Sequence, residues 1–415
     1  MRCVINADRT DHRLVPAFSV LAALYLAQGL PSGLFAHALP VFWREAGVDL
    51  VWIGAIKLLA LPWVLKVFWS SAMDRSLLKG TSAGQWITRL QLLAAALLVL
   101  LAWHGLTPAG WGVFAVLLLI LGLNLLMATQ DIVTDGLAVR WIPARWRGLA
   151  NSIQVGGYKV GMLAGGAGLL MLSGSWATEQ VVLGLGVLLV VLVLAVRCFQ
   201  PLMVPRATPS GYRSAGLMDA FYAFVSRPGM LIWLLVLLSY KVADAMGSGM
   251  MRPLLTDLGW SRPEIGQFTL IGTLVGLLGA AMGGWLFLRL RGWWSLLLAG
   301  VAQAMSIAAW VLIVWGEPTL ALVYSIGLLE QWADGWSTVA LFAVMMSFCR
   351  EGWEGTDYTI QASLQVVSAG VLGLLGGVIA QMLGYAQLFL LAGVLGAVVL
   401  VLMVRYRPLL PDNLS

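Results

Sequence analysis

Ala128-Thr129-Gln130-Asp131-Ile132-Val133-Thr134-Asp135-Gly136 and Leu328-Leu329-Glu330-Gln331-Trp332-Ala333-Asp334-Gly335 lie in opposite halves of the chain, each inside a long apolar run. Each sets two carboxylates four residues apart, hence on one face of a helix. A charge at the centre of a bilayer costs about 2.5–3.5 kcal/mol on insertion scales, so its retention calls for a partner or a task. The recurrence of the pattern in both halves predicts a duplicated membrane protein with a polar path through its interior. A chain of that kind is expected to carry a solute across a membrane.

Composition agrees. Hydrophobic residues make up 60% of the 415, charged residues 11%, and the mean hydropathy is +0.89. A soluble protein would carry roughly 25% charged residues. A span needs about 20 mostly apolar residues. Cutting the chain at its polar breaks gives spans near 15–40, 50–72, 84–103, 111–138, 149–173, 179–199, 229–251, 263–288, 293–315, 319–347, 357–382 and 386–404. The expected fold class is an all-α membrane protein with twelve transmembrane helices.

Charge asymmetry predicts orientation. With the N-terminus inside, inner segments hold eighteen Lys and Arg, in groups at 2–13, 75–89, 140–147, 197–227, 289–291, 350 and 405–407. The outer side holds Arg44, Arg252 and Arg262, and Lys57, Lys66, Lys159 and Lys241 fall within spans. Both termini are therefore expected in the cytoplasm. The sequence pI of 9.4 reports topology, and no nucleic-acid partner is expected. Arg2, Arg9 and Arg13 ahead of an apolar run, with Ala36-His37-Ala38 after it, mimic a secretory signal, but the run is too long and its removal would leave eleven spans. Cys3, Cys198 and Cys349 all map to the inner side, where disulfides are disfavoured.

The longest polar interval, 201–228, carries Pro201, Pro205, Pro209 and Pro228 and reads as a linker, with a short amphipathic helix over Leu217–Val225. It separates a six-helix half at 1–200 from a second at 229–415. Weak echoes run through both halves in the same order. Pro40, Gly47 and Ile53-Gly54 match Pro253, Gly259 and Ile265-Gly266, and Gly148 to Gln154 match Gly355 to Gln361. Parallel six-helix repeats are the signature of the major facilitator architecture, with two pseudo-symmetric halves. Small-residue stripes, Gly157, Gly161 and Gly165 on span 5 and Gly272, Gly276, Gly279 and Gly283 on span 8, are expected to let those two spans approach each other closely.

Counting along the spans puts Gln28, Asn124, Tyr240, Lys241, Asp244, Glu330 and Asp334 near the midplane, and Asp131 and Asp135 toward the inner end of span 4. Three readings compete for these groups. Lys66, Asp131 and Asp135 are expected as a charge network at the inner gate. Lys159 or Lys241 is expected to hold an anionic group, with Tyr25, Gln28, Tyr240, Trp332 and Trp336 completing a substrate site. Asp244, Glu330 and Asp334 are expected in a charge or proton-coupling network, because a carboxylate in low dielectric can load and release a proton. Of the 20 tryptophans, Trp43, Trp52, Trp111, Trp176, Trp293, Trp315 and Trp353 fall near interfaces, as aromatic belts do, but Trp332 and Trp336 do not. His12, His37 and His104 lack metal-ligand spacing, so no metal and no cofactor is expected. With no P-loop, His-Glu-x-x-His or Gly-x-Ser-x-Gly, the chain does not read as an enzyme or an ATP-driven pump.

A family likeness then emerges. Tyr25-Leu-Ala-Gln28-Gly29-Leu-Pro31-Ser32-Gly33, Leu61-Pro62-Trp-Val-Leu65-Lys66 through Asp74-Arg75, Ala128 to Gly136, and Arg147-Gly148 with Gln154-Val-Gly-Gly157-Tyr158-Lys159 follow in order. The chain resembles the muropeptide-permease and acetyl-coenzyme-A-transporter branch of the major facilitator superfamily. Within that branch it looks most like bacterial inner-membrane siderophore permeases of the pyochelin and rhizobactin type. The resemblance implies a monomeric importer for a small-molecule substrate, a ferric siderophore, in the lipid bilayer of the bacterial inner membrane. An outer-membrane receptor would supply that substrate. The resemblance also implies a gating role for Asp74 and Arg75, although the usual glycine-led basic loop is reduced here to Met73-Asp74-Arg75-Ser-Leu-Leu-Lys79. A muropeptide permease is the alternative, disfavoured by the 415-residue length and by a sugar's need for Asn and Gln. A non-transporting membrane sensor is the alternative of another class.

Overall fold

The structure is a computed structural model that describes residues 5–47, 56–106, 112–198, 216–290 and 292–407. Among them there is no strand, and long helices run throughout. Ten are long and apolar enough to cross a membrane: α1 (Leu14–Glu45), α3 (Ala83–His104), α4 (Gly112–Trp141), α5 (Ala144–Leu172), α6 (Thr178–Arg197), α7 (Met230–Asp257), α8 (Glu264–Arg289), α9 (Gly292–Trp315), α11 (Glu354–Leu383) and α12 (Tyr385–Tyr406). Two further helical stretches, α2 (56–78) and α10 (Leu320–Ser347), complete the order. Of these, α2 carries Lys57, Lys66, Asp74 and Arg75, and α10 carries Glu330, Gln331 and Asp334. At 1.5 Å per residue, the 28 residues of α10 reach about 42 Å, beyond a bilayer core of about 30 Å.

Local signals set the ends. Ser82 and Gln85 form a reciprocal capping box at the start of α3, and Thr319 accepts from the Leu322 amide at the start of α10. The short helix expected in the linker is present at Leu217–Val225. Large apolar side chains stay exposed along α11, among them Val367, Val371, Leu374, Val378 and Met382. A row of this kind would be a liability in water and is the lipid-facing surface of a span. The Ile53-Gly54 echo, linker residues 201–215 and Cys3 lie outside the described residues, and the Lys57 side chain is not described.

The chain forms two compact units. The first holds Met1–Ile142, Ile153–Ala220 and Cys349–Thr359, and the second holds Pro143–Ser152, Phe221–Phe348 and Ile360–Ser415. Two short segments, Pro143–Ser152 and Cys349–Thr359, belong to the unit other than the one holding the sequence on either side of them. They are the same two segments whose sequences echo each other, around Gly148 and Gly355.

Glycine explains both exchanges. In the second unit a side chain on Gly148 would collide with Phe287, and one on Gly284 would meet Ser152 and the Gly148 backbone. Ser152 Oγ donates to the Ala280 carbonyl at 2.6 Å. In the first unit a Cβ on Gly136 would lie 3.2 Å from the Gly355 nitrogen, and one on Gly355 would lie 3.0 Å from the Ile132 carbonyl oxygen. Backbone approaches this close require the absence of a side chain.

The stripes pack differently from the expectation. Gly161 and Gly165 on α5 sit against the Leu26 and Leu30 carbonyls of α1, and Gly29 and Gly33 of α1 sit against α5 in return. Gly279 and Gly283 on α8 sit against Trp332 and Trp336 of α10. Each stripe thus packs within its own unit, and spans 5 and 8 meet instead through Gly148, Ser152, Ala280 and Gly284. Gly376 on α11 repeats the α1–α5 arrangement against Met246 of α7. A Gly165→Ala change should destabilise the protein by about 1–3 kcal/mol or more, since its Cβ has only backbone to displace. Gly156→Ala, with open space around it, should not. Thermal unfolding of the two variants in detergent checks the contrast.

Candidate functional site

The first unit contains a polar cluster built on α4. Asn124, Gln130, Asp131, Thr134 and Asp135 are all buried on this helix. The partner of Asp131 is Lys66, which stands where α2 breaks between Leu61–Leu65 and Val67–Leu78. Its Nζ forms an ion pair with Asp131 Oδ2, and both side chains are almost wholly buried. Tyr25 donates its hydroxyl to Asp135 Oδ1 at 2.8 Å, and Gln154 Nε2 donates to the same oxygen at 3.1 Å. Gln28 Nε2 donates to Thr134 Oγ1 at 3.3 Å, and Trp63 Nε1 donates to Asn124 Oδ1 at 2.9 Å. Tyr25 and Gln28, expected as substrate contacts, are therefore bound into the network expected for the gate. Tyr158 stands edge-on to Trp63 at 6.0 Å. Lys159, the next residue, is half-buried and has no hydrogen-bond or ion-pair partner among the described residues.

Asp74, also in the first unit, is buried near the end of α2. Its Oδ2 accepts from both the backbone amide and the hydroxyl of Thr356, each at 2.7 Å. Thr356 lies in the first turn of α11, where unpaired amides and the helix dipole favour a carboxylate. Arg350 in the adjoining turn forms a bidentate pair with Asp357, at 2.8 and 2.6 Å. Arg75 is half-buried beside Asp74.

The second unit contains a counterpart with a different charge balance. Helix α7 breaks between Met230–Ser239 and Val242–Asp257, and Lys241 sits at the break. Its ammonium donates to Asp334 Oδ1 at 2.6 Å, Ser337 Oγ at 2.9 Å and Gln303 Oε1 at 3.2 Å, with Asp244 Oδ2 at 3.4 Å. The expected substrate lysine is thus held by the expected coupling acids. Tyr240, expected at the substrate site, donates its hydroxyl to the Leu296 carbonyl at 2.8 Å, and its ring lies against Gly300.

Glu330 is 1% exposed. Its Oε2 accepts from Gln331 Nε2 at 2.7 Å, whereas Oε1 has no hydrogen-bond partner among the described residues. A cavity of about 270 Å³ opens against it, lined by Asp244, Ser248, Arg252, Thr269, Gln331 and Asp334 among others. Trp332 and Trp336 place their rings 5.4 Å apart, inclined at 60°, and Trp336 Nε1 is buried without a partner. Gln303, Gln331, Ser337, Arg252 and Gln154 do not stand out in the sequence. Lone amides and hydroxyls carry no spacing signal, and only helix pairing brings them to the charges. No cluster of three metal-ligating side chains exists among the described residues.

Breaking either pair should be costly. Lys66→Met leaves Asp131 buried without its cation, a loss of about 3–5 kcal/mol. Adding Asp131→Asn should recover much of that loss. Thermal unfolding of the single and double variants would show the recovery, and its absence would mean that the pair is not coupled.

With this geometry in hand, the chain can be set beside known proteins. The family model described as acetyl-coenzyme A transporter 1 matches residues 17–108. The anhydromuropeptide permease of Escherichia coli K12 is 29% identical over 401 residues, covering 94% of this chain and 80% of that protein. A putative transporter of Rickettsia conorii, AmpG 4, is 24% identical over 392 residues, covering 92% of this chain and 93% of that protein. The crystal structure of FucP, a major facilitator superfamily transporter in the outward conformation, superposes with a TM-score of 0.65 at 16% identity, covering 94% of this chain and 98% of that one. The chain is a multi-pass membrane protein with the major facilitator fold, and these relatives are permeases and transporters, not enzymes.

Proposed function

We propose that this chain is a secondary permease of a bacterial inner membrane that imports a sugar–peptide ligand of the anhydromuropeptide class. The observation that carries this reading is the sequence likeness to the Escherichia coli permease, which runs through almost the whole chain. It reverses the order expected from the motifs, which put a ferric siderophore first. None of the relatives set beside the chain is named for a siderophore. The 415-residue length does not separate the two readings, since this chain matches 80% of the anhydromuropeptide permease.

Site chemistry supports the same order. An aromatic siderophore bearing a carboxylate would need Lys241 free to meet it, and Lys241 is occupied by Asp244 and Asp334. A sugar–peptide needs amides, hydroxyls and an aromatic face. Gln331, Ser248 and Thr269 line the cavity, and Trp332 and Trp336 stand on the helix that carries Glu330 and Asp334. Lys159, with no hydrogen-bond or ion-pair partner among the described residues, is the side chain we assign to an anionic group of the ligand. Both termini in the cytoplasm follow from the Lys and Arg asymmetry.

The test is uptake of a radiolabelled anhydromuropeptide by cells that do or do not express this chain, together with counterflow in proteoliposomes. Expression-dependent uptake is expected. Lys159→Ala should weaken apparent affinity about tenfold to a hundredfold, the worth of a hydrogen bond to a charged group, while leaving thermal stability unchanged. Uptake of ferric siderophore with none of muropeptide would overturn the reading, and absence of any counterflow would favour the sensor.

Asp74 is proposed as the gate residue. Its bonds to the first turn of α11 fix the segment Cys349–Thr359 within the first unit, and releasing them would free that segment. In a background with Cys3 and Cys198 replaced by Ser, Asp74→Ala should raise maleimide labelling of Cys349 and lower uptake more than tenfold. Labelling that stays at the parent rate would count against the assignment.

A further inference from the structure

The two polar clusters differ in one respect. In the first unit Asp131 faces Lys66, and Asp135 accepts from Tyr25 and Gln154, so each acid has named partners. In the second unit Lys241 forms ion pairs with Asp244 and Asp334, and among the described residues Glu330 has no ion pair. Arg252 lines the cavity but is exposed. The uncompensated acid is Glu330, the most buried of the three, and its Oε1 is unpartnered.

A buried acceptor of that kind is normally satisfied by a proton donor, a water or a cation. The space beside it is large enough for more than one water-sized group. Its walls bring further oxygens, from the Asp244 and Asp334 carboxylates and from the Ser248 and Thr269 hydroxyls. Thr269 Oγ1 already donates to Ile265 O, which leaves its lone pairs for a positive group. Hard monovalent cations take oxygen ligands of this type, and so does a primary ammonium.

We propose that the cavity beside Glu330 is a cation subsite that takes one compact positive group, an ammonium or a sodium ion, with Glu330 Oε1 as its principal contact. The subsite rests on reading this cavity as part of the ligand path. A ligand ammonium and an inorganic ion present the same chemistry to it, and they differ in source. Lys241 and Gln303 hold the flanking aspartates in place, so the subsite keeps its shape when the positive group leaves.

The test uses purified full-length protein in detergent and needs no transport substrate, so it can fail while uptake stands, or stand while uptake fails. Thermal unfolding is followed against sodium chloride, methylammonium chloride and choline chloride at equal ionic strength. A saturable rise in Tm of about 2–4 °C is expected with at least one of the two compact cations and not with choline. A response to sodium identifies an inorganic ion, and a response to methylammonium alone identifies a ligand ammonium. Glu330→Gln should abolish the rise while retaining the fold. Direct binding of radioactive sodium or methylammonium to the wild-type protein tests the same contact without relying on that variant. Equal Tm in all three salts, with no binding of either labelled cation, would overturn the proposal.

Discussion

Every buried charge in this molecule has to be satisfied inside the bundle, because the bilayer offers nothing in return. That constraint accounts for the placement of Lys66 and Lys241. Each sits at the discontinuity of a helix, and each reaches a carboxylate on a neighbouring helix. For Lys241 the position has its own logic. Met230–Ser239 ends just before it, so Lys241 follows the negative end of that segment's dipole. The broken helix therefore lowers the cost of burying the cation that the acids of α10 require. Polar sequence in the middle of a span and irregular backbone in its partner are two sides of one compensation.

Close backbone approach is the second constraint, and it follows from the medium. Between helices in lipid there is little hydrophobic gain, so association relies on packing and on polar contacts. Gly161 and Gly165 against α1, Gly279 and Gly283 against α10, and Gly376 against α7 all bring one helix onto the carbonyls or Cα atoms of another. Gly148 and Gly355 do the same for the two exchanged segments. The weak echo between Gly148 to Gln154 and Gly355 to Gln361 is thus an echo of packing duty.

This separates what the sequence discloses from what it hides. Apolar length and polar breaks disclose the spans, because membrane thickness imposes one length on all of them. Paired acids on α4 and α10 disclose buried charge, since helical periodicity fixes their common face. Pairing is hidden. A stripe of glycines says that some helix comes close without saying which, so the α5 and α8 stripes suggest each other as partners when the partners are α1 and α10. Tyr240 shares a helical face with Asp244, yet its hydroxyl turns to the Leu296 carbonyl, a partner with no sequence signature. Gln303 reaches Lys241 only because α9 packs beside α7.

Substrate choice shows the same division. Short motifs near Gly29, Asp131 and Gly157 serve helix contact and charge burial in the first unit, so a likeness in those motifs reports shared packing more than shared cargo. Ligand chemistry belongs to groups that the fold leaves unspent. Lys241 and Tyr25 are spent on contacts within their own units, whereas among the described residues Glu330 Oε1 and Trp336 Nε1 are not. Within the second unit, an acid with a vacant acceptor and an indole donor suit a hydroxyl-rich ligand bearing a positive group better than a compact aromatic anion. On physical grounds alone, the unspent groups favour the same class of cargo as the full-length likeness.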